Sequence, residues 1–187
     1  MKRWIKLLDA DCRVVRIKNE WVYPIFKNAF TSLETVSEQE RFNEEISQCQ
    51  SIVVFLRNQE QRFVTGVGEY LDNSNNMNRS HTVNGMPGKV QQEMIDKILD
   101  GQILDRHFCP QAVWLLHLSK YFQGTVFIKD MSQAKHYTPL TMKAGKYINF
   151  KLKVPEFYLS DDKKLEKFIG KKINIQSIVK EFDSVLS

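Results

Sequence analysis

Short apolar runs alternate along the chain with longer stretches in which apolar residues recur every three or four positions. Residues 52–56 form an unbroken apolar run, which is typical of a central strand covered on both faces. Residues 60–71 instead place Phe63, Val67, Tyr70 and Leu71 on one side of a helix. The pattern predicts strands at 13–17, 20–25, 51–56 and 124–128, a further strand or irregular segment at 146–150, and helices at 32–47, 60–71, 90–99, 111–122 and 174–186.

This alternation of strands and helices predicts one α/β domain over residues 1–187: a three-layer sandwich in which a mainly parallel sheet is flanked by helices. The two residues between the first two strands predict a hairpin, although the turn lacks a strong sequence signature. Residues 72–89 are polar and rich in asparagine, which predicts a loop. A loop of this length is a candidate lid over a binding site or a disordered segment.

The charge balance adds little to the choice of function. The chain has 27 lysines and arginines against 22 acidic residues, which allows nucleic-acid binding but equally an anion-binding pocket. Three cysteines without motif spacing favour neither a disulfide framework nor a zinc site. Residues 1–9 contain no long apolar run, so we expect neither a signal peptide nor a membrane anchor, and hence a cytoplasmic protein.

Two segments carry candidate chemistry, because in each a strand is followed by a cation and then by hydroxyls at the start of a helix. After the strand at 20–25 come Lys27, Thr31 and Ser32, and after the strand at 51–56 come Arg57 and Thr65. Backbone N–H groups at such a turn bind phosphate, and two neighbouring strand ends could bind a doubly phosphorylated ligand. An ordinary turn with a surface lysine is the alternative interpretation of the first segment.

Three segments in this order resemble the sulfotransferases, in particular the carbohydrate sulfotransferase branch. Residues 27–32 read KNAFTS and resemble the pattern Lys-x-Gly-x-Thr-Ser/Thr. Residues 57–65 read RNQEQRFVT and resemble Arg-x-Pro-x-x-Arg-x-x-Ser. Residues 105–111 read DRHFCPQ and resemble Asp-x-His-x-x-Pro-Gln. The chain departs from these patterns at Ala29, Gln59 and Thr65. These departures bear on the affinity for the cofactor that such enzymes bind.

The resemblance implies a P-loop-like sulfotransferase core that binds 3′-phosphoadenosine 5′-phosphosulfate and needs no metal. Lys27 would then contact the leaving phosphate, the backbone of residues 29–32 would hold the 5′-phosphate, and Arg57 with Thr65 would hold the 3′-phosphate. Arg62 would contact cofactor or acceptor, or would pair with an acid such as Glu60. The cofactor-binding residues would be Lys27, Asn28, Ala29, Phe30, Thr31, Ser32, Arg57, Arg62 and Thr65.

A general base must take the proton of the acceptor hydroxyl. His107 is the first candidate because of its Asp-x-His setting, and Glu34 in the first turn after the phosphate loop is the second. A structural histidine that anchors a loop is an equal interpretation of His107. The resemblance implies a carbohydrate or other hydroxyl-bearing acceptor, with neither nucleic acid nor membrane as a partner. Acceptor identity and oligomeric state stay open.

Two other function classes remain as alternatives. A kinase-like phosphotransferase would also bind a nucleotide, but the chain contains no Gly-x-x-x-x-Gly-Lys-Ser/Thr loop. A basic binding protein for RNA or acidic glycans agrees with a pI near 9.0, but the aromatic residues fall mostly at core spacing. A degenerate sulfotransferase that binds nucleotide without turnover is a variant of the last class.

Overall fold

The computed structural model of the chain describes residues 2–8, 12–77, 88–139 and 152–182. Within these residues the strands are β1 (Arg13–Ile17), β2 (Glu20–Tyr23), β3 (Gln39–Phe42), β4 (Ser51–Leu56), β5 (Thr125–Asp130) and β6 (Lys172–Asn174). The helices are α1 (Lys2–Leu7), α2 (Phe30–Thr35), α3 (Gln59–Met77), α4 (Gly88–Leu99), α5 (Gln111–Leu118), α6 (Glu156–Lys163) and α7 (Ile175–Glu181).

The strands form one six-stranded sheet in the order β3-β1-β2-β4-β5-β6. The pairs β2–β4 and β4–β5 are parallel, whereas β1 is antiparallel to β2 and β3, and β6 is antiparallel to β5. The protein is therefore mixed α/β, as the sequence predicts. The expected parallel pairing holds for the three central strands, while both edges of the sheet are antiparallel.

Alternate residues of β4 enter two hydrophobic cores on opposite faces of the sheet. Ile52, Val54 and Leu56 pack into the larger core, whereas Val53 and Phe55 pack into the smaller one. The larger core receives side chains from α3, α5, α6 and α7. The smaller core receives them from α2 and the 3₁₀ helix Met131–His136. Both faces of the central strand are thus covered, which explains its continuous apolar run.

The hairpin between β1 and β2 is confirmed, and its turn is of a more regular kind than the sequence indicates. Lys18 and Asn19 have φ angles of 48° and 68°, so both central residues lie in the left-handed region. Two such residues define the type I′ turn, whose twist matches that of the paired strands.

The predicted helix 32–47 is wrong beyond its first turns. The helix α2 ends at Thr35, and the chain then forms β3 and a 3₁₀ helix, Asn43–Gln48. The apolar pattern explains this, because Val36 and Phe42 are six positions apart, a spacing that does not match a helical period. The edge of β1 offers free backbone groups to this segment, and β3 pairs with them, with Phe42 opposite Arg13.

The other predicted helices are found with shifted ends. The helix α3 runs to Met77, so residues 72–77 are helical rather than part of the predicted loop. Residues 78–87, which are the central part of the candidate lid at 72–89, and residues 146–150 lie outside the described residues. The helix α5 ends at Leu118, and all eight of its residues are buried. The helix α6 and the edge strand β6 were not predicted.

Candidate functional site

The candidate site lies where the strands β2 and β4 end, side by side. From β2 the chain leads through α2 to β3 on one side of the sheet, and from β4 it leads to β5 on the other. The helices also diverge, since Leu33 of α2 packs in the smaller core and Phe63 of α3 in the larger one. Such a divergence of neighbouring parallel strands opens a crevice at their carboxyl ends, where α/β proteins bind ligands.

The loop after β2 has an unusual backbone. Lys27 and Ala29 adopt φ angles of 67° and 59°, both in the left-handed region. A side chain with a Cβ is disfavoured there, whereas glycine is not. Ala29 also precedes the first residue of α2 without a side-chain cap at the helix start. The left-handed backbone of Ala29 explains why a glycine would suit this position, as in the pattern that the loop resembles.

Gln111 joins this loop to the loop after β4. Its Oε1 accepts hydrogen bonds from Asn28 Nδ2 at 2.6 Å and from the backbone N–H of Arg57 at 2.8 Å. Its Nε2 donates to the carbonyl of Arg57 at 2.9 Å. Asn28 Nδ2 also donates to the carbonyl of Phe55, and the Arg57 guanidinium donates to the carbonyl of Lys27 at 3.2 Å. One buried glutamine thus brings three sequence motifs together.

Asp162 holds Gln111 in this position from the far end of the chain. The carboxylate accepts from the backbone N–H groups of Gln111 and Ala112 at 3.1 and 2.9 Å, which caps the start of α5. It also accepts from Gln111 Nε2 at 3.1 Å. Burial raises the pKa of Asp162, and these hydrogen bonds with the nearby Arg62 charge oppose that shift. Sequence reasoning missed Asp162, since no motif links it to α5.

Arg62 is fully buried, with 0% of its surface exposed. Its Nε donates to the carbonyl of Phe26 at 3.0 Å, and its NH1 and NH2 groups reach the carbonyls of Cys109 and Arg106. The guanidinium therefore ties the loop after β2 to residues 106–109. Burial lowers the pKa of Arg62 to about 10. In this position Arg62 has no exposed surface for contact with a ligand. Asn28 is also buried, with 1% of its surface exposed.

Four titratable side chains form a chain of contacts across the crevice. Lys27 Nζ is ion-paired with Glu69 of α3. The other carboxylate oxygen of Glu69 lies 3.6 Å from His107 Nε2, and His107 Nδ1 lies 2.5 Å from Asp105 Oδ1. The Asp105 carboxylate also accepts from the backbone N–H of His107 at 2.9 Å. Asp105 therefore fixes the imidazole ring and leaves its Nε2 facing Glu69.

Glu69 and Gly66 are further residues of this arrangement that sequence reasoning missed. Glu69 follows Thr65 by four positions and Arg62 by seven, so all three share one face of α3, a signal that was available in the sequence. Gly66 lets this helix approach closely, because a Cβ there would lie 2.2 Å from the carbonyl oxygen of His107. The sequence holds no signal for that contact, which joins distant segments.

The remaining predicted residues lie around this crevice with other partners. Thr31 is exposed in α2, and the carbonyl of Ser32 accepts from Thr138 Oγ1 at 3.0 Å. Thr65 Oγ1 donates within its own helix, to Gln61 or Arg62. Glu34 is ion-paired with Arg13. Phe30 stacks on Phe26 with ring centroids 4.1 Å apart.

No group of three or more His, Cys, Asp and Glu side chains that could hold a metal ion occurs in the described residues. Among the helices of the described residues, none combines the length and the apolar character that crossing a membrane requires. Compared with known proteins, the chain matches no family model, no curated protein and no solved structure.

Proposed function

We propose that this protein is a sulfotransferase that transfers a sulfuryl group from 3′-phosphoadenosine 5′-phosphosulfate to a hydroxyl of a carbohydrate-type acceptor. One observation carries the proposal. The three segments that resemble sulfotransferase motifs are far apart in the chain, yet Asn28, Arg57 and Gln111 of those segments are hydrogen-bonded to one another. Segments matched by chance have no reason to meet at the crevice between two parallel strands.

The side chains at the crevice fit a nucleotide with two phosphate groups. Lys27 and Arg57 provide cationic donors at adjacent strand ends, and Arg57 is partly buried, which lowers its pKa. A partly desolvated guanidinium binds phosphate oxygens in a bidentate manner. The start of α2 has no side-chain cap from Ala29, and the proposal places the 5′-phosphate beside the backbone of residues 29–32, as the motif resemblance implies. A P-loop-like sulfotransferase core is accordingly part of the proposal.

The cofactor supplies an activated sulfuryl group, and the protein must orient the acceptor and stabilise charge on the leaving phosphate. In the proposed reaction the acceptor oxygen bonds to sulfur while the bond from sulfur to the bridging phosphate oxygen breaks. Lys27 compensates the charge that develops on that phosphate. His107 Nε2 takes the proton of the hydroxyl, because Asp105 holds Nδ1 at 2.5 Å and stabilises the imidazolium.

Glu69 adds a positioning role to this mechanism. Its carboxylate lies between Lys27 and His107 and draws both side chains toward the same point. An incoming phosphate must displace Glu69 from Lys27, since both anions bind the same ammonium group. The pair therefore keeps Lys27 oriented before the nucleotide binds, and Glu34 is less suited to act as base because Arg13 neutralises it.

The test is calorimetric titration with adenosine 3′,5′-bisphosphate, beside adenosine 5′-phosphate and ATP. We expect micromolar binding of the bisphosphate, weakened at least about tenfold in Lys27→Ala and in Arg57→Ala, which corresponds to about 1.4 kcal/mol for each variant. Lys180→Ala, in the exposed face of α7, is the matched control and should bind as the wild type does. Glu69→Gln should bind at least as tightly, because Lys27 is then free of a competing carboxylate.

A folded protein that does not bind the bisphosphate overturns the proposal. Tight binding of ATP with no preference for the bisphosphate would favour the kinase-like alternative. Binding without sulfation of any acceptor, in a protein whose His107→Ala variant behaves identically, would favour the degenerate form.

A further inference from the structure

A cavity of about 210 Å³ is lined by residues that follow β2, among them Pro24, Phe26 and Phe30. Phe26 belongs to both the cavity and the crevice, since it lines the cavity and its ring centroid is 5.2 Å from that of His107. The cavity is smaller than the roughly 300 Å³ at which pockets for drug-sized ligands begin, so it suits a single ring. Of the proposed nucleotide-binding residues Phe30 lines this space, and its proposed contact with the nucleotide is through the backbone.

The walls of the cavity are aromatic. Phe26 and Phe30 stack at 4.1 Å, and Trp114 lies 5.5 Å from Phe26 at a tilt of 60°. Tyr23 and Cys12 line the deep end, and both are almost fully buried. Burial raises the pKa of Cys12 to about 12 and raises that of Tyr23 as well, so this end is uncharged. A flat apolar ring fits such walls.

The mouth of the cavity carries positive charge. The guanidinium of Arg13 lies 5.2 Å above the Phe30 ring and that of Arg106 lies 5.5 Å above the Phe26 ring. Arg13 is paired with Glu34 and lies 3.8 Å from Glu40, whereas the ion pairs of the described residues do not include Arg106. Arg106 is therefore the cation that an anionic ligand would meet at the entrance.

Trp114 supplies an independent sign of a ligand. Its indole Nε1 is buried, and among the described residues it has no hydrogen-bond partner. An indole N–H can only donate, and leaving a buried donor unpaired is unfavourable. Trp114 lines the cavity and is 6% exposed, but its Nε1 is itself inaccessible, so an oxygen of a bound molecule reaches this N–H only when the indole or its neighbours shift.

We infer that this cavity binds one aromatic ring that carries a hydroxyl and a carboxylate or sulfate group. This inference rests on the proposed function and names the class of acceptor. It departs from the carbohydrate acceptor that the motif resemblance implies. A pyranose ring has a polar group on almost every carbon and so needs many hydrogen-bond partners, whereas five of the eleven residues that line the cavity are Phe, Tyr or Trp, beside the polar Arg13, Arg106 and His117. A phenolic ring needs few, and its anionic substituent pairs with Arg106 at the mouth.

The test measures the binding of each candidate ligand separately from the binding of the nucleotide. Titrations monitored by ligand-observed NMR use 4-hydroxybenzoate, phenol, glucuronate and glucose, each with and without adenosine 3′,5′-bisphosphate. We expect 4-hydroxybenzoate to bind at least about tenfold more tightly than phenol and glucuronate, and glucose not to bind. Arg106→Gln should remove the advantage over phenol, and Phe30→Leu should weaken both aromatic ligands. Arg3→Gln, an exposed site in α1, is the matched control for charge.

The outcomes separate this inference from the proposed function. Bisphosphate binding together with a preference for glucuronate over 4-hydroxybenzoate overturns the aromatic assignment and leaves the sulfotransferase proposal standing. Binding of 4-hydroxybenzoate that Arg106→Gln and Phe30→Leu leave unchanged places the ligand elsewhere and also overturns the inference. Binding that depends on both residues supports the cavity assignment even if the bisphosphate does not bind, in which case only the proposed function fails.

Discussion

The loops after β2 and after β4 lie side by side, but different parts of the chain hold them. The second loop has a local determinant besides its two hydrogen bonds with Gln111, because Asn58 Oδ1 accepts from the backbone N–H of Gln61 at 3.0 Å and thereby caps α3. The first loop has two left-handed residues and no side-chain cap. Its shape depends on contacts from Arg57, Arg62 and Gln111, all of them distant in sequence. Substitutions far from the first loop should therefore affect it most.

Arg62→Ala should have the largest effect. The substitution removes the donors to the carbonyls of Phe26 and Cys109 and leaves a cavity, so we expect the free energy of unfolding to fall by about 3 kcal/mol. Arg57→Ala is the matched control, and we expect a loss of about 1 kcal/mol because that side chain is only partly buried. Urea denaturation measures both values. Equal losses in the two variants would contradict the assignment of Arg62 as the residue that supports the first loop.

Gly66→Ala should have an intermediate effect. Alanine favours a helix over glycine by about 1 kcal/mol, yet its Cβ would lie 2.2 Å from the carbonyl oxygen of His107. The helix and residues 105–109 must then separate, and we expect a net loss of about 2 kcal/mol in thermal or urea unfolding. Gly170→Ala is the control, since a Cβ there meets nothing within 4 Å and costs only backbone strain. A stabilised Gly66→Ala variant would show that the close approach is absent in solution.

Ala29→Gly should have the smallest effect and the opposite sign. Relief of the left-handed strain at a φ of 59° stabilises the folded loop, and the extra freedom of glycine in the unfolded chain offsets part of the gain. We expect a net gain of at most about 1 kcal/mol. Asn58→Ala, which removes the local cap of the second loop, should instead lose about 1 kcal/mol. Denaturation midpoints compare the two; a loss in Ala29→Gly would show that the loop is not strained.

The same contrast decides what could be predicted from the sequence. The strands β1, β2, β4 and β5 and the helix α3 carry their own periodicity, so local patterns were enough to predict them. The segment after α2 is a strand because it pairs with the edge of β1. A local sequence pattern does not indicate this pairing.

The candidate site divides in the same manner. Lys27, Arg57 and His107 were accessible through spacing, and their predicted roles stay predictions. Gly66 and Asp162 are known only from contacts between distant segments, whereas Glu69 shares one face of α3 with Arg62 and Thr65 and could have been found from that spacing. Arg62 shows the limit of motif reasoning, because a motif identifies an arginine but not whether its guanidinium faces a ligand or the protein interior.

The carboxylate of Asp162 has a consequence for the order in which the protein forms. Gln111 is 83 positions from Asn28 and 51 positions from Asp162, so the contacts that align the crevice are of very long range. Contacts of this kind close late in folding, because the chain entropy of large loops must be lost first. A chain emerging from the ribosome can pair β1, β2 and β4 early, but its crevice lacks the anchor of α5 until the segment around residue 162 has been synthesised.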